Sequence, residues 1–441
     1  MWTYHPDLLD RPVPRYTSFP TAAEFGVGVG ADAQMQALRD IPDGADVSLY
    51  LHIPFCEKIC WYCGCNTARA NRRARLTSYL AALSAEIALV GSVIGPKRLT
   101  VRRIAFGGGS PNAVRPFELV RLLYDLTVWF GADSPRTSIE LDPRSHDAEW
   151  VGVLRDAVIE QASLGVQTFD PALQAAIGRV QDEELIAACV SDLRAAGVSS
   201  LNFDLMYGLP GQTNAALTDS IERTIAHGAD RVALFGYAHV PSLLPRQRQI
   251  DATALPGSEA RFEMAALGHR LFTAAGYEPV GFDHFALPAD GMARAARNGT
   301  LRRNFQGFTD DSAEILIGLG ASAISQFPGL LVQNEKNSGR YRMRLSGRQL
   351  AGARGVERSE DDQWRAAVIE DILCRQEANL GVLSLGAGER AALRTFQDRN
   401  LVTLYKDRLR LLPAARPYAR AIAATFDPYR QAGQARFSNA V

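Results

Sequence analysis

The chain has 441 residues, and 48 lysines and arginines balance 48 aspartates and glutamates, so the formal net charge is zero. This length suits one large domain with a smaller one, and the balanced charge gives no electrostatic case for binding nucleic acid or an anionic membrane. No apolar run approaches the roughly eighteen residues of a membrane span, and residues 1–14 lack the basic start and apolar core of a signal peptide. We therefore expect a cytoplasmic protein without a membrane span.

The first segment, residues 1–45, is predicted to be an N-terminal arm. Pro12, Pro14 and Pro20 fall within nine residues, and prolines at this density prevent a regular helix. We expect an extended segment that lies on the main body of the protein.

From Val47 onwards, short apolar runs rich in β-branched residues alternate with longer helical patterns. This alternation is typical of parallel βα units and predicts an α/β fold, a partial (β/α)6 barrel. Between the first two strands, apolar residues from Leu76 to Val90 recur every three or four positions, as in an outer helix packed on a sheet. The predicted strands have these limits: 47–55, 101–106, 137–141, 161–167, 199–206 and 231–238.

The barrel and its extension are predicted to occupy residues 46–345, followed by a mainly helical C-terminal domain at 346–441. The extension contains a probable helix at 259–275, with Ser258 as its N-cap, and an apolar segment at 315–325. The C-terminal domain is predicted as two helices, a hairpin at 402–411 that turns at Lys406 and Asp407, and a final helix from Ala414. This order also occurs in winged-helix DNA-binding domains, but without a basic excess we favour a structural lid.

Four of the six cysteines, Cys56, Cys60, Cys63 and Cys65, fall within ten residues directly after the first predicted strand. Three thiolates at the spacing C-x3-C-x2-C can hold three irons of a 4Fe–4S cluster and leave the fourth iron open to an outside ligand. Structural zinc is the alternative, although zinc sites usually come as two separated pairs of ligands. Disulfides are not expected in a reducing compartment.

The remaining cysteines, Cys189 and Cys374, stand in apolar helical contexts. A free cysteine in such a context most often behaves as a small buried hydrophobic residue. We assign them no function.

Polar or glycine residues follow each predicted strand. In parallel barrels the functional residues lie at the C-terminal ends of strands and in the loops that follow. Each residue alone has a simpler explanation, such as a loop cap or a satisfied ion pair, but their common position predicts one site. In chain order they are the cysteines, Gly107–Pro111, Glu140 with Asp142–Arg144, Gln167 with Arg179 in its following helix, Asp204 with Tyr207, and Tyr237 with His239.

The run from Tyr50 to Cys63 resembles the cluster loop of radical S-adenosylmethionine (SAM) enzymes. The additional Cys65 and the arm sequence at 14–22 are similar to the oxygen-independent coproporphyrinogen III oxidases, and this resemblance extends from Pro14 to about Phe437. It implies a radical-SAM barrel whose cluster is held by Cys56, Cys60 and Cys63 but not by Cys65.

The resemblance further implies two bound SAM molecules. Glycines allow the backbone to approach a ligand closely, an arginine suits a carboxylate, and an aspartate suits ribose hydroxyls or an ammonium group. The contacts of the iron-bound SAM correspond to Tyr50, Gly108, Glu140 and Ile324. Those of the second SAM correspond to Tyr62, Gly109, Ser110, Gln167, Arg179, Asp204 and Ala238.

The implied reaction belongs to haem biosynthesis and uses a 5'-deoxyadenosyl radical. Two propionate groups of coproporphyrinogen III are oxidatively decarboxylated to vinyl groups, which gives protoporphyrinogen IX. The resemblance also implies an electron donor, a terminal electron acceptor and a monomeric enzyme.

The sequence departs from the family where a tetra-anionic substrate would favour cationic partners. Leu287 and Asn439 stand where we expect arginine, and Gly236 stands where we expect asparagine. Arg15, Arg302 and Arg303 are the remaining candidates for pairing with propionates.

Two alternatives share much of this pattern. A related radical-SAM enzyme of tetrapyrroles, such as a haem-opening methyltransferase, would keep the same cofactor residues. A haem carrier would need an axial ligand, for which His52, His239 and His284 are candidates.

Overall fold

The computed structural model describes residues 2–147, 149–381 and 383–430, and Asn439 lies outside this part of the chain. The strands are β1 (Asp46–Ile53), β2 (Phe55–Cys56), β3 (Ala68–Arg69), β4 (Thr100–Gly108), β5 (Arg136–Leu141), β6 (Ile159–Gln167), β7 (Ser200–Tyr207), β8 (Arg231–Gly236), β9 (Glu278–Val280), β10 (His284–Ala286), β11 (Arg302–Asn304), β12 (Gly307–Thr309), β13 (Ile315–Leu319), β14 (Ile324–Phe327), β15 (Leu330–Asn334), β16 (Gly352–Glu357), β17 (Glu377–Asn379), β18 (Val402–Tyr405) and β19 (Arg408–Leu411). The helices are α1 (Pro6–Leu9), α2 (Ala31–Arg39), α3 (Arg73–Ile94), α4 (Pro116–Phe130), α5 (Glu149–Asp156), α6 (Pro171–Ala176), α7 (Glu183–Ala195), α8 (Asn214–Ala226), α9 (Ser258–Ala274), α10 (Gly291–Arg297), α11 (Ser338–Ser346), α12 (Glu360–Arg375), α13 (Ala387–Asp398) and α14 (Ala419–Ala423).

One large open sheet carries the fold. Its order is β16-β15-β14-β13-β1-β4-β5-β6-β7-β8-β10-β9, and the strands from β13 to β8 run parallel to one another. The six predicted strands correspond to β1 and β4–β8 and are confirmed to within two residues at each end. Their buried residues, such as the continuous run from Val47 to Ile53, are typical of parallel strands covered on both faces.

The sheet is wider than the predicted six strands. The apolar segment 315–325 contains β13, which pairs in parallel with the free side of β1, and the start of β14. Three antiparallel strands, β14–β16, continue the sheet on that side to Glu357, beyond the predicted domain boundary at residue 345. The sequence periodicity did not predict β13 as a strand, because the long segment between β8 and β13 lacks the βα alternation.

Helices cover the sheet where the apolar spacing predicted them. In α3 the predicted apolar positions from Leu76 to Val90 are buried. This helix is long and apolar enough to cross a membrane, although the sequence prediction found no such segment. Half of the segment is buried inside the protein. It packs against α4, α11 and β13, and such contacts are typical of a core helix.

A second hydrophobic core joins the two ends of the described chain. Leu8, Leu9 and Tyr16 of the arm are buried together with Ile369 of α12 and Phe426 near the C-terminal end. The segment around the prolines contains no helix, as predicted, but it bends at residues 17–20 and is not extended throughout. Helices α1 and α2 were missed by the prediction of an extended arm. The division into three domains stays a prediction.

Two local predictions are wrong in detail. Ser258 is the first residue of α9 rather than its N-cap, because Gly257 occupies the extended cap position. The final helix begins as a 3-10 segment, Pro413–Tyr418, before α14. The hairpin turn at Lys406 and Asp407 is confirmed, and β17 adds a third strand to that hairpin.

Candidate active site

The four clustered cysteines lie in the loop after β1 and line one cleft of about 470 Å³ at the C-terminal ends of the parallel strands. Cys56 Sγ is 3.3 Å from Thr67 Oγ1, and the backbone N–H of Cys65 donates to Cys63 Sγ at 3.4 Å. A hydrogen bond from Cys65 lowers the pKa of the Cys63 thiol to about 6. Cys65 therefore acts in this structure as a hydrogen-bond donor to Cys63.

The glycine-rich end of β4 packs directly against the cysteine loop. The backbone N–H of Gly109 donates to the carbonyl of Ile53 at 2.8 Å. A Cβ at Gly109 would lie 2.6 Å from the carbonyl oxygen of Phe55, and one at Gly108, where φ is +112°, would lie 2.5 Å from His52. Glycine is required at both positions, because any side chain would displace the loop.

A buried ion network holds Cys60. Arg144 and Arg179 donate to Cys60 Sγ at 3.1 and 3.2 Å, and both arginines also bond to Asp142. Burial opposes the charge of Arg179, but Tyr62, Asp142 and Cys60 outweigh it and raise its pKa. The two guanidinium groups therefore fix the position of Cys60 Sγ in the cysteine loop.

Arg179 does not lie in a helix as predicted. It belongs to the loop between α6 and α7, where its Nε also donates to the carbonyl of Gly165 at 2.9 Å. The long side chain therefore ties the end of β6 to the cysteine loop.

Two carboxylates face the cleft from β5 and β7, the strands on either side of β6. Glu140 is open to the cleft and accepts a hydrogen bond from the N–H of Gly108 at 3.1 Å. The surrounding protein displaces bulk water from its carboxylate and raises the pKa of Glu140 to about 7. Burial also raises the pKa of Asp204, which accepts hydrogen bonds from Asn202 at 2.8 Å and Ser163 at 3.2 Å. Carboxylates in such surroundings are poised to receive a cation.

The structure brings most of the predicted cofactor residues to this cleft. Those that line it are Tyr62, Gly108, Gly109, Glu140, Gln167, Arg179, Asp204 and Ala238. Tyr50 and Ser110 are buried beside it, where Tyr50 bonds to His52 at 3.1 Å and Ser110 bonds to Asn112 at 2.5 Å. Ile324 is half-buried in β14 and does not line the cleft.

The donor set fits an iron–sulfur cluster. In the described residues, no three histidine, cysteine, aspartate or glutamate side chains are placed to hold a single metal ion. A cluster of four irons spreads its three protein thiolates further apart than one ion does.

The sequence profile of the radical SAM superfamily matches residues 50–224. The oxygen-independent coproporphyrinogen III oxidase of Bradyrhizobium diazoefficiens is 42% identical over 97% of this chain and 97% of that protein. The protein of the same name from Paracoccus denitrificans is 39% identical over 96% of both chains. A solved coproporphyrinogen III oxidase from Escherichia coli, described as a radical SAM enzyme, has a TM-score of 0.88 at 32% identity and covers 95% of this chain and 100% of its own.

The chain belongs to the oxygen-independent coproporphyrinogen III oxidase family. Membership confirms the predicted fold class and the predicted radical-SAM enzyme class. The family implies a 4Fe–4S cluster and SAM, which suits the cleft described above.

The structure shows where two departures from the sequence of this oxidase family, Leu287 and Gly236, lie relative to the cleft. Leu287 lies at the N-terminal end of β8, where its N–H donates to the carbonyl of Asp230 at 2.9 Å, and its side chain packs on the main core. It is therefore at the opposite edge of the sheet from the cleft. Gly236, by contrast, is the last residue of β8 and lines the cleft.

The three arginines predicted as candidates for pairing with propionates have different surroundings in the structure. Arg302 pairs with Glu370 at 2.9 Å, and Arg303 donates to the backbone carbonyls of Tyr16 and Arg15. Arg15 reaches the cleft wall and donates to the carbonyl of Gly236 at 2.9 Å. Arg15 alone of the three lines the cleft.

The candidate haem ligands of the carrier alternative already have partners. His52 bonds to Tyr50 at 3.1 Å, His239 bonds to Tyr237 at 2.9 Å, and His284 bonds to Asp283 at 2.6 Å. Burial lowers the pKa of His52 to about 4. These are satisfied histidines.

Sequence reasoning missed two parts of this oxidase site. The amide of Gln247 donates to the carbonyls of Tyr62 and Ala238, both at 3.0 Å, and so fastens the loop after β8 across the cleft. Asp142 was identified at a strand end, but its place between Arg144 and Arg179 was not. The bonds of Gln247 to Tyr62 and of Asp142 to Arg179 have no local sequence signal, because these partners lie 185 and 37 residues apart in the chain.

Proposed function

We propose that this protein catalyses the oxidative decarboxylation of two propionate groups of coproporphyrinogen III to the vinyl groups of protoporphyrinogen IX, without oxygen. The observation that carries the proposal is the cysteine loop at the end of β1, facing the polar ends of the other parallel strands across one cleft. Similarity to the named oxidases over nearly the whole chain supports the choice of substrate.

Cys56, Cys60 and Cys63 would hold the cluster, with Arg144 and Arg179 positioning the sulfur of Cys60. When bound, the cluster and its SAM supply the electron and the 5'-deoxyadenosyl radical that remove a hydrogen atom from the substrate. Each propionate gives up a hydrogen atom from the carbon β to its carboxylate, one carbon dioxide and one electron to an acceptor, and becomes a vinyl group.

Residues of the cleft would position SAM. The backbone at Gly108 and Gly109 allows close approach, and Glu140 would accept hydrogen bonds from the amino group of the iron-bound molecule. Tyr50 and Ile324, which do not line the cleft, would act from behind its wall.

A second SAM is proposed for the other side of the cleft. Its wall contains Tyr62, Gln167, Asp204 and Ala238, and Ser110 lies buried beside it. We expect two SAM per wild-type protein in anaerobic equilibrium dialysis and one in Asp204→Ala. A wild-type value of one would contradict the second site.

We further infer a cytoplasmic monomer that receives its electron from a separate donor. The support is the resemblance to the oxidase family. Analytical ultracentrifugation of the cluster-loaded protein would test the monomer, and a dimer at micromolar concentration would contradict it.

The test of the reaction is an anaerobic assay of the iron-reconstituted, reduced protein with SAM and coproporphyrinogen III. We expect 5'-deoxyadenosine and protoporphyrinogen IX by mass spectrometry, and neither from the matched Cys60→Ala variant. Deoxyadenosine with a different tetrapyrrole product would point to the related radical enzyme. A cluster-loaded protein that binds haem but forms neither product would point to the carrier.

A further inference from the structure

The cysteine loop has an outer side that does not face the cleft. Residues 66–75 lead from Cys65 into the first turn of α3, and within this described segment Thr67 alone lines the cleft. The segment contains four arginines and no acidic residue, although the chain as a whole carries 48 residues of each sign. Positive charge is therefore concentrated on the outside of the loop that would hold the cluster.

Direct contacts tie this segment to Cys56. Strand β3 runs parallel to β2 and pairs Arg69 with Cys56, and the N–H of Ala70 donates to the carbonyl of Cys56 at 2.8 Å. The guanidinium carbon of Arg75 lies 5.8 Å from the centre of the Phe55 ring. These arginines thus belong to a stretch of chain that packs directly against a predicted cluster ligand.

Three of the four arginines have no acidic partner. Arg69, Arg72 and Arg75 are exposed, and in the described structure none of them forms an ion pair. Arg73 is paired with Glu118 of α4 at 2.7 Å. The first turn of α3 contains no acidic residue, so its arginines lie at the positive end of the helix dipole, where a cation is unfavourable. The stability of the helix therefore does not explain this charge.

The neighbouring helices extend the positive surface. Ser338, in the first turn of α11, accepts a hydrogen bond from Arg75 at 3.1 Å, and Arg340 in the same turn is exposed. At the start of α4, the guanidinium carbon of the exposed Arg115 lies 5.9 Å from the centre of the ring of Phe117, which is 59% exposed. Neither Arg115 nor Arg340 forms an ion pair within the described residues. The outer arginine surface, as we call it, consists of Arg69, Arg72, Arg75, Arg115 and Arg340.

Five unpaired charges of one sign on one exposed surface create a positive potential. Such a potential attracts an oppositely charged partner and speeds its association. The exposed aromatic ring of Phe117 adds an apolar contact beside the charges, as is typical of protein interfaces with a polar rim. The surface therefore fits an acidic protein.

The position of the surface indicates which kind of acidic protein fits. The cleft side of the cysteine loop would be occupied by SAM and the tetrapyrrole, so an electron donor has free access to the cluster from the outer side of residues 66–75. Complexes of electron carriers are transient and need only a small contact, typically less than about 1,200 Å². An exposed charged surface of this kind suits such a complex.

We propose that the outer arginine surface is the docking site of a small acidic one-electron carrier protein, which reduces the cluster from outside the cleft. The need for a reduced cluster rests on the proposed function. In this step one electron leaves the reduced carrier, which is thereby oxidised, and enters the cluster, while no covalent bond is made or broken.

The test compares two reductants of the cluster-loaded protein. The protein reductant is a prereduced flavodoxin with an acidic surface, and the small reductant is photoreduced 5-deazariboflavin, which carries no charge for the arginines to attract. The chosen variant is Arg69→Gln/Arg72→Gln, because in the described structure these side chains have no hydrogen bond or ion pair to lose. The matched control is Arg39→Gln/Arg270→Gln, which removes the same charge from exposed arginines of α2 and α9. The rate of cluster reduction is measured by freeze-quench electron paramagnetic resonance, without SAM or tetrapyrrole.

We expect Arg69→Gln/Arg72→Gln to lower the second-order rate constant for reduction by flavodoxin about 10-fold at low salt, which is within the range of electrostatic steering. Reduction by deazariboflavin should be unchanged, the control should match the wild type, and Arg69→Lys/Arg72→Lys should keep most of the rate. An ionic strength of about 0.5 M should slow the wild type more than the glutamine variant, because salt screens exposed charges.

Equal rates with flavodoxin in the glutamine variant and the control would overturn the inference, and so would an equal loss with both reductants. Should the glutamine variant not take up its cluster, a wild-type rate with flavodoxin that does not depend on salt would also overturn it. Binding of an RNA oligonucleotide that depends on these arginines, with an unchanged flavodoxin rate, would assign the surface to nucleic acid instead. Failure of the proposed function looks different: flavodoxin would still reduce the cluster in an arginine-dependent manner, but SAM and coproporphyrinogen III would give no decarboxylated product.

Discussion

Replacement of Glu86 by glutamine should change how the stability of the protein depends on pH. Glu86 lies on α3 and is completely buried. Its carboxylate accepts hydrogen bonds from the N–H of Gly320 at 2.6 Å, from Tyr341 at 2.6 Å and from Asn334 at 2.8 Å. Burial outweighs these donors and raises the pKa of Glu86 from its ordinary 4.5 to about 7.

The sign and the size of the effect follow from this difference. Below pH 4.5 the carboxyl is protonated in both states and costs nothing. As the pH rises from 4.5 to about 7, the unfolded chain releases the proton while the folded protein keeps it, so the free energy of unfolding falls. The full loss above pH 7 is roughly 3 kcal/mol, of which about 2 kcal/mol falls between about pH 5.5 and 8.5.

The assay is chemical unfolding of the anaerobic, cluster-loaded protein at these two pH values. Relative to Glu86→Gln, the wild type should lose about 2 kcal/mol on going to the higher pH, because all other titrating groups cancel in the comparison. The control is Glu222→Gln, which removes an exposed carboxyl from α8 and should follow the wild type. Equal pH dependence in wild type and Glu86→Gln would refute the reasoning.

Three further predictions, made on four substitutions, test the active site. Cys60→Ala should lose iron and the visible absorbance of the cluster, while Cys65→Ala should keep both, and the reverse result would contradict the ligand assignment. Gly109→Ala, whose Cβ would lie 2.6 Å from a backbone oxygen, should lower stability by about 1–3 kcal/mol and reduce iron content; normal iron content would show that the loop can shift. Leu287→Arg should leave the KM for coproporphyrinogen III unchanged, since residue 287 lies at the far edge of the sheet, and an improved KM would contradict that.

The sequence predicted best those features that depend on residues close together in the chain. The cysteine spacing predicted a cluster site without tertiary information. Runs of β-branched residues indicated the six parallel strands. The rule that sites lie at the C-terminal ends of such strands brought Glu140, Gln167 and Asp204 to one cleft before their contacts were known. Their roles in binding SAM stay predictions.

The parts that the sequence did not predict depend on contacts between distant segments. β13 joins β1 across more than 260 residues, and its short apolar run has no period that distinguishes it from a core helix. Arg15 reaches Gly236 at the end of β8 only because the arm packs against a strand more than 200 residues away in the chain. The position of Leu287 away from the cleft could not be predicted for a related reason, because a family position does not tell which edge of the sheet it occupies.

The core shared by the two ends of the described chain closes a very long loop. Tyr16 donates to Asp427 at 3.0 Å, and the N–H of His5 donates to the hydroxyl of Tyr418 at 3.0 Å. These partners lie 411 and 413 residues apart, and every strand of the described structure lies between them. The entropic cost of closing a loop rises with its length, so the contacts of the arm are stable only once the intervening sheet has folded and brought the two segments together.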